Sequence, residues 1–314
     1  MEDERQLIEK ILRLKKEERA VILAHYYTIP EVQQVADFTG DSLALSARAA
    51  ETDAEIILFA GVHFMAETAK ILSPDKKVLL PEPEAGCSLA DSCTAQDFER
   101  FLKDYKGYTV VSYVNTSVGV KALTDICCTS GNAVQVIESL PSDEKIVFAP
   151  DRNLGNYIRQ LTGRQEMVVW DGACGVHEEF SVEKILELKR EYPQAKVLAH
   201  PECKRAVLLT ADYIGSTAAL LKYASADPAD TFIVVTEAGI LYQMQRENPQ
   251  KRFIPAPPVD STCGCNNCAF MKMVTLEKIY RALEREAPEV IIDEAVRRRA
   301  EGSIRRMLQI GRNK

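Results

Sequence analysis

The 314-residue chain contains no apolar run approaching the ~20 residues that span a bilayer, so no transmembrane helix is expected. It has no basic excess either. With 39 Lys and Arg against 46 Asp and Glu, the net charge is -7, which gives no support to nucleic-acid binding. The basic runs Arg297 to Arg299 and Arg305 with Arg306 lie among glutamates and read as a solvated helix face. The N-terminus lacks the apolar core and cleavage site of a signal peptide. MEDERQLIEKILRLKKEE is charged throughout, with Leu7, Ile8, Ile11, Leu12 and Leu14 at helical spacing, and a cytoplasmic location is expected. Nine cysteines in such a compartment argue against a disulfide framework and for metal binding by some of them.

What is present is alternation. β-branched apolar runs alternate with longer helical segments, the pattern of βα units on parallel sheets. The predicted strands are 21–25, 55–61, 76–84, 108–115, 145–151, 166–172, 196–202, 231–239 and 252–257, in three sets of three. Within the first strands Val21, Val110 and Val197 are spaced by 89 and 87 residues; second strands begin at Glu55, Lys145 and Thr231, steps of 90 and 86. A period this long means homologous domains rather than a solenoid of short units. The expected fold is therefore α/β, a pseudo-threefold triplication of three-layer α/β domains with parallel sheets around a central site. The expected units are residues 1–89, 90–177 and 178–268, with the helices of 269–314 joined to the first.

Parallel α/β sheets bind ligands beyond the carboxyl ends of their strands. There the sequence places His25 and Tyr27, Tyr113 and Asn115, and His200 and Glu202 after the first strands. Residues i and i+2 of an extended end face the same side, so each pair can face one site. After the third strands come Cys87 in EAGC, Cys174 in DGAC with His177, and the cluster Cys263, Cys265 and Cys268 in STCGCNNCAF. The step from Cys174 to Cys263 is 89 residues and fits the period, whereas that to Cys268 is 94. One thiol per domain is a poor match to a closed structural zinc site and suits a [4Fe-4S] cubane with one iron left open. The plain alternative is that Cys87 and Cys174 are small buried apolar residues.

HYYTIPEVQQVADFTGDSLALS, EAGCSLAD, DGACGVHE, HPEC and CAFMKMVTLEKIYRALE occur in that order over nearly the whole chain. Together they resemble the quinolinate synthase family of NAD biosynthesis. The resemblance implies a pseudo-threefold fold around a [4Fe-4S] cluster and condensation of iminoaspartate with dihydroxyacetone phosphate to quinolinate, phosphate and water, the open iron serving as Lewis acid. It implies Cys87, Cys174 and Cys268 as ligands, the last because it directly precedes AFMKM, although the period favours Cys263. It also implies proton transfer by Tyr27 and Glu202, and as partner the L-aspartate oxidase that makes iminoaspartate.

In that frame His25, His177 and His200 are candidates to move protons or bind carboxylates, with His25 and His200 also counted as catalytic. Tyr113 and Asn115 are further substrate contacts. Ser42, Ser130, Ser216 and Thr217 precede helical stretches, where a hydroxyl beside free amides can hold an anion without lysines. Each could equally be an ordinary N-cap. His63 reads as structural or helix-capping. Cys93, Cys127, Cys128 and Cys203 read as incidental, and Cys263 with Cys265, or Cys265 with Cys268, as possible redox neighbours. Two other readings stand beside this one: another iron-sulfur hydro-lyase, and a non-catalytic metal-binding regulator built on the CxCxxC segment.

Overall fold

A computed structural model describes residues 4–260 and 266–312. The described residues form three four-stranded sheets, parallel throughout, with helices packed on their faces. The first sheet comprises β1 (Ala20–His25), β2 (Phe38–Gly40), β3 (Ile56–Ala60) and β4 (Lys77–Leu79). The second comprises β5 (Thr109–Tyr113), β6 (Ile126–Cys128), β7 (Ile146–Ala149) and β8 (Val168–Val169), and the third β9 (Lys196–Ala199), β10 (Tyr213–Ile214), β11 (Thr231–Val235) and β12 (Arg252–Pro255). All three share one order, with the second strand outside the first and the third and fourth following on the other side.

All nine strands read from the sequence are present, and all but β1 stop short of their expected carboxyl ends. Glu202 and Glu237, read as strand ends, lie in loops. Three further strands, β2 (FTG), β6 (ICC) and β10 (YI), escaped the sequence reading because they do not sit in an extended β-branched run as the equally short β4 and β8 do. Each is nonetheless held the same way. Asp37, Asp125 and Asp212 accept the backbone N–H of Ile22, Val110 and Val197, each at 2.8 Å and each 15 residues earlier in the chain. Their own N–H groups donate back to the carbonyls of the same three residues.

The central strands are buried on both faces, as parallel sheets require; Ile22, Leu23, Ile57, Leu58, Phe148, Phe232 and Ile233 are among the enclosed side chains. Burying each such side chain contributes roughly 1.5–3 kcal/mol. Helix Leu276–Arg285 packs on the N-terminal helix Glu4–Glu17 beneath the first sheet, through Leu276, Ile279 and Leu283 against Leu7 and Ile11. Helix Glu294–Arg312 instead bridges two repeats, with Ala300, Ile304 and Met307 meeting Ile71 and Leu72 of the first and Cys127 of the second. The last part of the chain thus ties the first two sheets together.

Candidate active site

Register shows which residues correspond. Ala24 pairs with Ala60, Ser112 with Ala149, and Ala199 with Val235. One step beyond stand His25, Tyr113 and His200, and two further on Tyr27, Asn115 and Glu202. All six line a single central cavity, together with Ser42, Ser130, Thr217, His177, Cys87, Cys174 and Cys268.

The three thiols enter alike. Cys87, Cys174 and Cys268 are the N-cap residues of the four-residue helices Ser88–Asp91, Gly175–Glu178 and Ala269–Lys272. Cys268 therefore occupies in the third repeat the place that Cys87 and Cys174 hold in the first two. Cys263, which the repeat spacing favours, lies with Cys265 outside the described residues. The three helix starts meet: Gly175 N–H donates to Ser88 Oγ at 3.1 Å, and Gly86 faces the Phe270 ring. Burial pushes the Cys87 thiol up to about 12, raises Cys174 well above the ordinary thiol range and raises Cys268 as well. Amides of the following turn partly oppose the rise at each sulfur.

This donor set fits a multi-metal sulfur cluster. Three thiols, one per repeat, face one cavity, yet they do not draw together as ligands of one ion would. Among the described residues, the ligating atoms that lie within 4.8 Å of one another are those of Cys174, His177 and Glu202. Those three could hold a metal ion at one edge of the cavity.

A hydrogen-bonded chain crosses the cavity wall and involves all three repeats. The Tyr27 hydroxyl lies 2.8 Å from both Thr217 Oγ1 and Thr236 Oγ1. Thr236 Oγ1 is 2.9 Å from His177 Nε2, and His177 Nδ1 is 3.0 Å from Glu202 Oε2 and 3.2 Å from Cys174 Sγ. The other Glu202 oxygen accepts from the Tyr113 hydroxyl at 2.6 Å. Burial would raise the Glu202 carboxyl, but His177, His200 and the Tyr113 hydroxyl outweigh it and hold it below the usual range, so Glu202 is ionised. Burial raises both tyrosines well above the ordinary phenol range, and they remain protonated donors.

His25 and His200 repeat one geometry. The N–H two residues on, from Tyr27 or Glu202, donates to ring Nδ1 at 3.1 and 3.4 Å, which leaves the proton on Nε2. His200 Nε2 then donates to Ser130 Oγ at 3.1 Å. Burial, and for His25 also Lys272, lowers both to about 3. They are neutral N–H donors at ordinary pH, suited to holding a carboxylate rather than to carrying protons. Asn115 Oδ1 is buried without a partner and faces the same cavity as an open acceptor.

The hydroxyl set behaves less uniformly than its spacing suggests. Thr217 and Ser130 line the cavity, whereas Ser216 does not; its Oγ caps helix Thr217–Ala226 by accepting from Ala219 N–H. Ser42 also lines the cavity, but the N-cap of helix Ser42–Glu51 is Asp41, which accepts from Ala44 N–H at 3.0 Å. His63 is the first residue of helix His63–Leu72, whose N-cap is Val62, and its ring is half exposed beside Glu67. The sequence reading also passed over Asp41, Thr236, Glu237 and Lys272. Asp37, Asp125 and Asp212, each five residues before Ser42, Ser130 and Thr217, were the available signal for the first of these.

The fold and site define a class: a triplicated α/β protein whose repeats each bring one half-buried thiol to a shared, acid–base-lined cavity. The Quinolinate synthetase A protein family matches residues 9–309. A protein of Thermosynechococcus vestitus named Quinolinate synthase is 58% identical over 97% of this chain and 95% of its own length. Proteins of the same name from Rippkaea orientalis and a Synechocystis strain are each 55% identical over 97% of this chain, covering 93% and 95% of their own lengths. The chain belongs to the quinolinate synthase family and is an enzyme of that type.

Proposed function

We propose that the enzyme condenses iminoaspartate with dihydroxyacetone phosphate to quinolinate, releasing phosphate and two waters. The observation that carries this reading is the convergence of three thiols, an ionised glutamate and two protonated tyrosines on one cavity in a chain of this family. Cys87, Cys174 and Cys268 are the residues to hold a [4Fe-4S] cluster, which when bound supplies an open iron as Lewis acid for loss of a hydroxyl.

The remaining steps fall to side chains. Glu202 is the base that removes a proton from the carbon skeleton, with Tyr113 and His177 holding its charge. Tyr27 donates a proton to a carbonyl or departing hydroxyl, and Thr217 and Thr236 fix the direction of its O–H. Nε2–H of His25 and of His200 orient the substrate carboxylates, and Asn115 Oδ1 accepts from a substrate hydroxyl or imine N–H. The hydroxyls of Ser42, Ser130 and Thr217 take the phosphate. Ser216 supports that group only through the helix it caps. Among the described residues no helix is long and apolar enough to cross a membrane, in keeping with a cytoplasmic enzyme supplied with iminoaspartate by L-aspartate oxidase.

Anaerobically purified protein is expected to contain about four irons, the cubane stoichiometry, and to form quinolinate from the two substrates. An intact cluster without a pyridine product would favour a different hydro-lyase. Zinc in place of iron, or iron retained after Cys87→Ser and Cys174→Ser, would overturn the cluster assignment and favour the regulator.

A further inference from the structure

Glu237 lies in the loop after β11, two residues beyond Val235, and is only 1% exposed. It lines the cavity, and both its oxygens already have partners within the protein. Oε1 accepts from the Cys268 amide at 3.0 Å and pairs with Lys272 Nζ at 2.8 Å, and Oε2 accepts from Gly239 N–H at 2.6 Å. Lys272 Nζ also donates to the Tyr27 carbonyl at 2.5 Å. One buried carboxylate therefore joins the backbone of a thiol in the third repeat to the backbone of the proton-donating tyrosine in the first.

The packing around it is close. A Cβ on Gly239 would lie 2.7 Å from Tyr27 Cα and 2.8 Å from both Glu237 Oε2 and Lys272 Nζ, so any side chain there would push the three apart. The neighbouring Ala238 N–H donates to the Asn266 carbonyl at 3.1 Å, and Asn266 Nδ2 donates to the Ala256 carbonyl. The loop after β11 thus grips the chain on the N-terminal side of Cys268 as well as at its amide. In the first repeat the corresponding position is Val62, two residues beyond Ala60, and it has no carboxylate to offer.

We propose that Glu237 is a positioning residue, fixing the Cys268 backbone for metal ligation and, through Lys272, the Tyr27 backbone. This rests on the reading of Cys268 as an iron ligand. A carboxylate oriented on a ligand's own backbone acts like the outer partners of other metal sites, whose loss commonly weakens metal binding about 10- to 100-fold.

The test uses the full chain with its cluster reconstituted anaerobically, in wild type and in Glu237→Gln, Glu237→Asp and Glu237→Ala. Iron and sulfide content and the rate of iron release to a chelator are measured beside thermal melting of the cluster-free proteins. Gln keeps an acceptor oxygen within reach of the Cys268 amide while setting its NH2 against Gly239 N–H, whereas Asp keeps the charge but falls one methylene short of the Cys268 amide. Release from the Gln variant should be the least changed of the three, and release from Asp and Ala should be about 10- to 100-fold faster. If the Ala variant does not fold, Gln and Asp carry the comparison. Equal release from all, or an Asp variant like wild type beside a fast-releasing Gln variant, overturns the proposal. A wild type that takes up no iron instead overturns the cluster assignment on which it rests.

Discussion

The Tyr113 hydroxyl donates to Glu202 Oε1 at 2.6 Å, a bond from the second repeat to the third that closes the chain of groups beginning at Tyr27. It makes Tyr113 a holder of charge on Glu202 as well as a wall of the cavity. Tyr113→Phe should leave iron content unchanged and lower kcat by about 10²-fold, the low end of what one acid–base group contributes. Removing a donor to the carboxylate raises its pKa, so the acid limb of the kcat/KM profile should move to higher pH. A profile that falls in height without moving would show that Tyr113 does not act through Glu202.

The three thiols should behave as a set. Changing Cys87, Cys174 or Cys268 singly to Ser is expected to abolish stable iron binding, measured as iron per chain after anaerobic reconstitution. Cys203 is enclosed in the apolar core of the third repeat and is not among the residues that line the cavity. Cys203→Ala should keep its iron. The same holds for Cys263→Ser if Cys268 is the third ligand.

All three sulfurs are pushed towards the protonated form in the metal-free protein, chiefly by burial. Ligation needs thiolates, so iron uptake must expel protons and strengthen as pH rises. A pH-stat following reconstitution should record proton release. That release should fall when any one of the three cysteines is replaced.

His25 and His200 make the fold acid-sensitive. Each is lowered from 6.5 to about 3 on folding, so below pH 6.5 the unfolded chain binds protons that the native one refuses. Stability falls as pH drops through that window, by about 2 kcal/mol per histidine at pH 5. Denaturant midpoints of the cluster-free protein at pH 7 and pH 5 measure this. His25→Asn should remove about half of the difference.

The Asp37, Asp125 and Asp212 contacts are partly exposed, and each satisfies one strand amide. Replacing any one by Ala should cost about 1 kcal/mol in unfolding free energy. Each loss should fall on its own sheet, and hydrogen exchange at Ile22, Val110 or Val197 identifies which.

Nine of the twelve described strands were legible because long β-branched runs have few alternatives in a chain of this kind. β2, β6 and β10 were not, because none of them sits in such a run. Their marker was a polar one, an aspartate five residues ahead of Ser42, Ser130 and Thr217, and hydropathy does not register it. The strand-end pairs were legible since register turns a linear repeat into three superimposed positions. Glu237 was not: in TFIVVTEAG it looks like the polar end of a strand, and its meaning depends on Cys268, Gly239 and Lys272, which only folding brings to it. Ser216 shows the opposite, since hydroxyls at helix starts look alike whether they face a ligand or their own helix.

Helix Glu294–Arg312 grips the first two repeats, and the third closes on them through the Tyr27–Thr217 and Tyr113–Glu202 bonds. Among the described residues each repeat supplies one cysteine sulfur to the cavity, so no repeat holds the set of three alone. A chain with any one repeat undocked brings together only two of these three sulfurs. With Cys87, Cys174 and Cys268 as the proposed iron ligands, iron retention would count fully assembled molecules, and metal bound only by the docked form would draw the domain-docking equilibrium towards itself.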